Sequence, residues 1–177
     1  MMMRILFIIQ LLLFSLISCE KEENKIEFPV KFEFMLLDEK CQNKTEFKQG
    51  ENFVFSFLMI NQSDSNLLFE PNIVDDTWFN VYKSNSEFIG KPFDLICLGY
   101  VGFKILNSKD TFRIYIPWFP NVNTTYWPFC QKTENINLSP GSYYTSFKSQ
   151  FEFFTSGKKT SYNSEELSFT IEFIMND

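Results

Sequence analysis

The sequence contains no histidine and no alanine. Without histidine there is no Ser-His-Asp triad, no Cys-His dyad and no His-ligated zinc or haem. Alanine is the best helix former, so its absence beside 19% aromatic residues argues against a helical bundle and for pleated structure. Positive charge is also short. The balance is 16 Lys+Arg against 22 Asp+Glu, a net charge of −6, and nucleic acid is not an expected partner. No Gly-x-Ser-x-Gly, P-loop, dinucleotide fingerprint, CxxC pair or calcium-spaced carboxylate loop occurs in the sequence. A cysteine nucleophile would lack the histidine that makes its thiolate. The expectation is therefore a non-enzyme with no catalytic residue, no cofactor and no metal. What abounds is phenylalanine, at 23 of 177 residues. A biased genome is an alternative source of part of that excess.

Arg4 is the only charged residue before Glu20, and an apolar run from Ile5 to Ile17 follows it, broken only by Gln10 and Ser15. A positive start before a short apolar run reads as a secretory signal. The run is short for a membrane span, which needs about 20 apolar residues. It ends in Leu16-Ile17-Ser18-Cys19, which resembles the bacterial lipobox. That resemblance implies cleavage before Cys19 and acylation of Cys19, with the membrane as partner through two or three acyl chains. The expected organisation is a signal peptide over 1–18, a lipidated tether over 19–26 and a folded domain over 27–177. The tether, Glu20-Lys21-Glu22-Glu23-Asn24-Lys25, has no apolar residue and reads as solvated.

From Glu27 the pattern changes to period two. Phe28, Val30, Phe32, Phe34 and Leu36 alternate with more polar residues, and Phe53, Phe55, Phe57 and Met59 do the same. Phe112, Ile114 and Ile116 form a third such set, Tyr143, Thr145 and Phe147 a fourth, and Leu167, Phe169, Ile171 and Phe173 a fifth. Leu67–Phe69 and Trp78–Lys83 are shorter candidates, while 61–66 is a loop by composition. Frequent turns between short strands predict an all-β, immunoglobulin-like antiparallel sandwich of about seven to nine strands. Leu138-Ser139-Pro140-Gly141-Ser142-Tyr143 resembles the tyrosine corner of such sandwiches, in which the Tyr hydroxyl bonds back to upstream backbone. Tyr143 is thus a structural residue, not a site residue.

Phe47-Lys48-Gln49-Gly50-Glu51-Asn52-Phe53 leads into an alternating strand that ends at Asn61. With Phe79-Asn80-Val81-Tyr82, Gly90-Lys91-Pro92, Pro117-Trp118 and the 138–143 segment, it resembles a group of uncharacterised Bacteroidetes lipoproteins. The same residues are similar to immunoglobulin-like domains of the intracellular proteinase inhibitor (BsuPI-like) type. The resemblance covers most of residues 28–175 and bears on fold more than function. No inhibitory loop matches residue by residue. Lys21-Glu22-Glu23 also resembles the acidic signal that exports some Bacteroidetes lipoproteins to the cell surface, and a plain linker is the alternative. The implied location is the bacterial cell envelope, at the outer membrane.

Cys19 is assigned to lipid, which leaves Cys41, Cys97 and Cys130, and export past the inner membrane permits disulfides. One bridge can form among three, with Cys97–Cys130 or no bridge as the two readings. Asp75-Asp76 reads as a solvated loop, since neighbours on a strand face opposite ways. The most unusual segment is 117–129, with three Pro, two Trp, two Phe and one Tyr. Three prolines exclude a central strand. Its rings either fold back to extend the core or form a platform for an unidentified protein or glycan ligand, with Trp118, Tyr126 and Trp127 as the candidate contacts. The functional expectation is a non-catalytic binding, structural or adhesion module. A proteinase-inhibitor-like module and a carbohydrate-binding accessory protein are the alternatives.

Overall fold

The computed structural model describes residues 28–71, 73–96, 102–121, 123–131, 136–155, 157 and 160–177. The expected signal peptide, Cys19, the tether and Cys97 lie outside the described residues. Those described are all-β, without a helix. In chain order the strands are β1 (Val30–Leu37), β2 (Glu46–Lys48), β3 (Val54–Asn61), β4 (Leu67–Phe69), β5 (Val81–Lys83), β6 (Phe88–Gly90) and β7 (Leu95–Ile96). There follow β8 (Lys104–Leu106), β9 (Thr111–Pro117), β10 (Phe129–Gln131), β11 (Gly141–Ser149), β12 (Glu152–Thr155), β13 (Ser161–Asn163) and β14 (Leu167–Asn176).

The long strands β1, β3, β9, β11 and β14 fall on the five alternating stretches. The strands beyond the expected seven to nine are short, and period two cannot register in two to four residues. The Trp78–Lys83 segment is a strand only from Val81, because residues 76–79 form turns. Asp75 starts them, its carboxylate accepting from the Thr77 N–H at 2.7 Å.

Two sheets carry most of the core in a sandwich-like arrangement. The first has the order β1-β3-β9, all antiparallel, and the second β2-β14-β11-β5-β6, antiparallel except for β2 beside β14. Register sets rows across the first sheet: Phe34–Phe57–Ile114 and Leu36–Phe55–Ile116. Phe147–Phe169 and Tyr143–Phe173 form rows on the facing side of the second. The rows meet through rings. Phe57 lies 5.1 Å edge-on to Phe169, and Phe34 lies 5.0 Å edge-on to Phe147. Such pairs add about 0.5–1.5 kcal/mol each beyond their area burial, so rings fill a core built without alanine.

The β3/β9 ribbon continues into β4/β8 after two pinched loops, 62–66 and 107–110. Buried Asn61 plugs the junction. Its Nδ2 donates to the carbonyls of Ser65, Asn107 and Leu106 at 2.8, 3.0 and 3.1 Å, and its Oδ1 accepts from the Ser63 N–H at 2.9 Å. Beyond it lies a third sheet, β13-β12-β4-β8. The fourth sheet is the pair β10-β7.

At the start of β11 the Tyr143 hydroxyl donates to the Ser139 carbonyl at 2.8 Å, over buried Leu138. Gly141 has φ 153, a conformation that L side chains rarely adopt. The 138–143 segment thus has the hydrogen bond that its resemblance to a tyrosine corner implies.

Candidate functional site

The aromatic segment 117–129 folds back on the core. Trp118 is 1% exposed, its ring stacked on Phe53 at 5.7 Å and its indole N–H donating to the Ile136 carbonyl at 3.1 Å. Asn52 holds the next residue, accepting from the Phe119 N–H at 2.9 Å. Phe129 is buried and stacks on Phe93 at 4.4 Å. Tyr126 is half-buried, edge-on to Tyr115 at 5.7 Å. Trp127 is half-buried too, with the Lys104 ammonium 4.0 Å from its ring centroid. Burial pushes the Lys104 amine below its ordinary value. Of the three candidate ligand residues, Trp118 has no face to offer. Tyr126 and Trp127 remain partly open, each already engaged by a neighbour.

Cys130 on β10 is disulfide-bonded, and Cys41 is a free, exposed thiol. The partner of Cys130 is therefore Cys19 or Cys97, both outside the described residues. In the β10-β7 pair, Phe129 lies opposite Ile96, the residue before Cys97.

Other acidic residues have structural roles. Asp76 pairs with Lys91 at 2.9 Å. Glu51, in the Gly50-Glu51 phrase, bonds Lys44 and accepts from the Lys48 N–H at 2.9 Å. The Lys44 hydrogen bond, then that backbone bond, hold its carboxyl below the ordinary value of 4.5. Among the described residues no group of three or more metal-ligating side chains converges.

A different surface carries outward-facing rings. On the outer face of the second sheet, register aligns Glu172 (β14), Tyr144 (β11), Tyr82 (β5) and Phe88 (β6) in one row. Tyr82 stacks on Tyr144 at 5.1 Å and 17°, and Phe88 lies edge-on to Tyr82 at 5.6 Å. Phe88 is 54% exposed. The neighbouring row runs Glu46, Ile174, Ser142, and the Ser84 N–H donates to the Ser142 carbonyl at 3.1 Å. An open groove of about 620 Å³ lies over these rows, and Glu46, Ser142, Tyr144, Thr170, Glu172 and Ile174 are among its lining residues. Its size is that of a small-ligand site. Sequence reasoning passed over these residues. The signal was an aromatic residue on an outward position of an alternating strand. Only register joins it to Tyr82 and Glu172.

No protein-family model and no curated protein matches the chain. Among solved structures, a β-glucosidase from Listeria innocua in complex with glucose is 12% identical, with TM-score 0.28, over 84% of this chain and 16% of that one. A second β-glucosidase structure from Listeria innocua is 12% identical, with TM-score 0.26, over 82% and 16%. A family 123 glycoside hydrolase from Clostridium perfringens is 12% identical, with TM-score 0.27, over 84% and 28%. The chain spans a minor part of each enzyme, and likeness at this level assigns neither family nor activity.

Proposed function

We propose that this chain is a cell-envelope lipoprotein, anchored at the outer membrane through acylated Cys19, that presents a non-catalytic binding module of the immunoglobulin-like class. Support for the anchor is the Arg4 start, the apolar run and Leu16-Ile17-Ser18-Cys19. Support for the class is strand order. β1, β3 and β9 correspond to strands A, B and E of an immunoglobulin sandwich, and β14, β11, β5 and β6 to G, F, C and C′. The Tyr143 bond then stands at the start of strand F, where a tyrosine corner belongs. Cys97 is the proposed partner of Cys130, since Ile96, the residue before Cys97, lies opposite Phe129, the residue before Cys130.

The observation that carries the binding reading is the row of outward rings, Tyr144, Tyr82 and Phe88, beside an open groove. Aromatic rings on an outward sheet face beside a groove offer a ligand large, rigid contact area. The anchor is tested by Cys19→Ala. The variant is expected to leave the membrane fraction, and continued membrane association counts against lipidation. Protease added to intact cells is expected to digest the domain, whereas full protection would place it on the periplasmic side.

A further inference from the structure

The groove on the outer face of the second sheet has a composition that selects its ligand. Its lining has no Lys or Arg, and it has two carboxylates, Glu46 and Glu172. Neither takes part in an ion pair among the described residues. A phosphate, uronate or other anion would meet only repulsion there. Thr45, Ser84, Ser142 and Thr170, all hydroxyl-bearing residues, also line the groove. Hydroxyls donate and accept, while carboxylates only accept, so the lining suits a ligand with many hydroxyl groups of its own. Tyr82 covers one face of the Tyr144 ring at 5.1 Å. Tyr144 lines the groove and Tyr82 does not, and register sets Glu172 on the side of Tyr144 away from Tyr82. The negative potential of a tyrosine ring face suits the weakly positive C–H face of a pyranose.

We infer that this groove binds a neutral oligosaccharide, with Tyr144 as the stacking wall and Glu46 and Glu172 as acceptors for sugar hydroxyls. The inference rests on the binding-module reading and names its site and ligand class. The site is not the aromatic segment 117–129. Its Trp118 is buried, and a Lys104 ammonium already lies against its Trp127 ring.

The test uses the full chain in a zwitterionic, sugar-free detergent. Calorimetric titration with neutral hexasaccharides (cellohexaose, xylohexaose, maltohexaose and mannohexaose) is set beside an octalysine peptide. At least one neutral hexasaccharide is expected to bind. Tyr144→Ala is expected to weaken it roughly tenfold or more, as loss of a central anchor does, while Trp127→Ala leaves it unchanged. Glu172→Gln is expected to weaken it less, and a retained thermal transition shows that each variant folds. No binding by any of the four sugars overturns the inference and leaves the module reading standing. Binding of octalysine alone overturns it in favour of a basic peptide. Loss of sugar binding in Trp127→Ala, with Tyr144→Ala unaffected, also overturns it and moves the site to the aromatic segment. Release of reducing ends from a bound hexasaccharide would instead break the non-catalytic reading, which is a separate failure.

Discussion

Segment 117–129 and the outer face of the second sheet are both aromatic, yet they use their rings in opposite ways. The segment concentrates rings in a stretch punctuated by proline, and there Trp118 and Phe129 turn inward to stack on Phe53 and Phe93. The sheet face disperses rings over three strands, and there Phe88 is exposed while Tyr144 and Tyr82 are half-buried against each other on the outward face. A loop imposes no alternation, so Trp118 can turn into the core while Tyr126 and Trp127 stay half-buried. A strand does impose it. Tyr143 points into the core, and Tyr144, the next residue, must therefore point out. Local density of aromatic residues is thus a poor guide to which rings face outward. An aromatic residue on the wrong phase of an alternating strand is a better one.

The sharpest way to break this contrast is to truncate one ring from each region. Trp118→Ala is expected to cost about 3–5 kcal/mol, as removal of a buried indole does. Tyr144→Ala loses chiefly its stacking on Tyr82 and is expected to cost less than about 1.5 kcal/mol. Urea unfolding of both variants measures the difference, and equal losses would show that Tyr144 is core. A finer version uses neighbours. Tyr143→Phe removes the bond to Ser139 and is expected to cost about 1 kcal/mol, while Tyr144→Phe stays near wild type. A reversed order would sink the tyrosine-corner assignment.

The smallest expected effect is electrostatic and belongs to Glu51. Folding lowers the Glu51 carboxyl, so its stabilisation is complete above its unfolded value and is lost as pH falls through the lower folded value. Urea midpoints of wild type are therefore expected to fall below about pH 4 more steeply than those of Glu51→Gln. Parallel curves would show that the Lys44 contact contributes nothing.

The long strands were legible because their apolar residues hold period two over enough length to fix a face. Leu138 to Tyr143 was legible as a corner because turn and ring lie within one segment. The direction of Trp118 was not. Composition states that a loop is aromatic but not which side of it meets the core. The Glu172–Tyr144–Tyr82 row was hidden for another reason, since it depends on register between strands far apart in the chain. The turn at 76–79 was missed because Trp78 and Phe79 look like strand residues, although Phe79 sits at φ 60.

The measurement that tests the account most directly is hydroxyl-radical footprinting of the full chain in micelles, with and without a hexasaccharide that binds. Without sugar, Phe88 and Tyr144 are expected to oxidise readily and Trp118 to resist. With sugar, protection is expected at Tyr144 and absent at Trp127. Ready oxidation of Trp118, or sugar protection at Trp127 with Tyr144 unchanged, would contradict the account and return the binding surface to the aromatic segment.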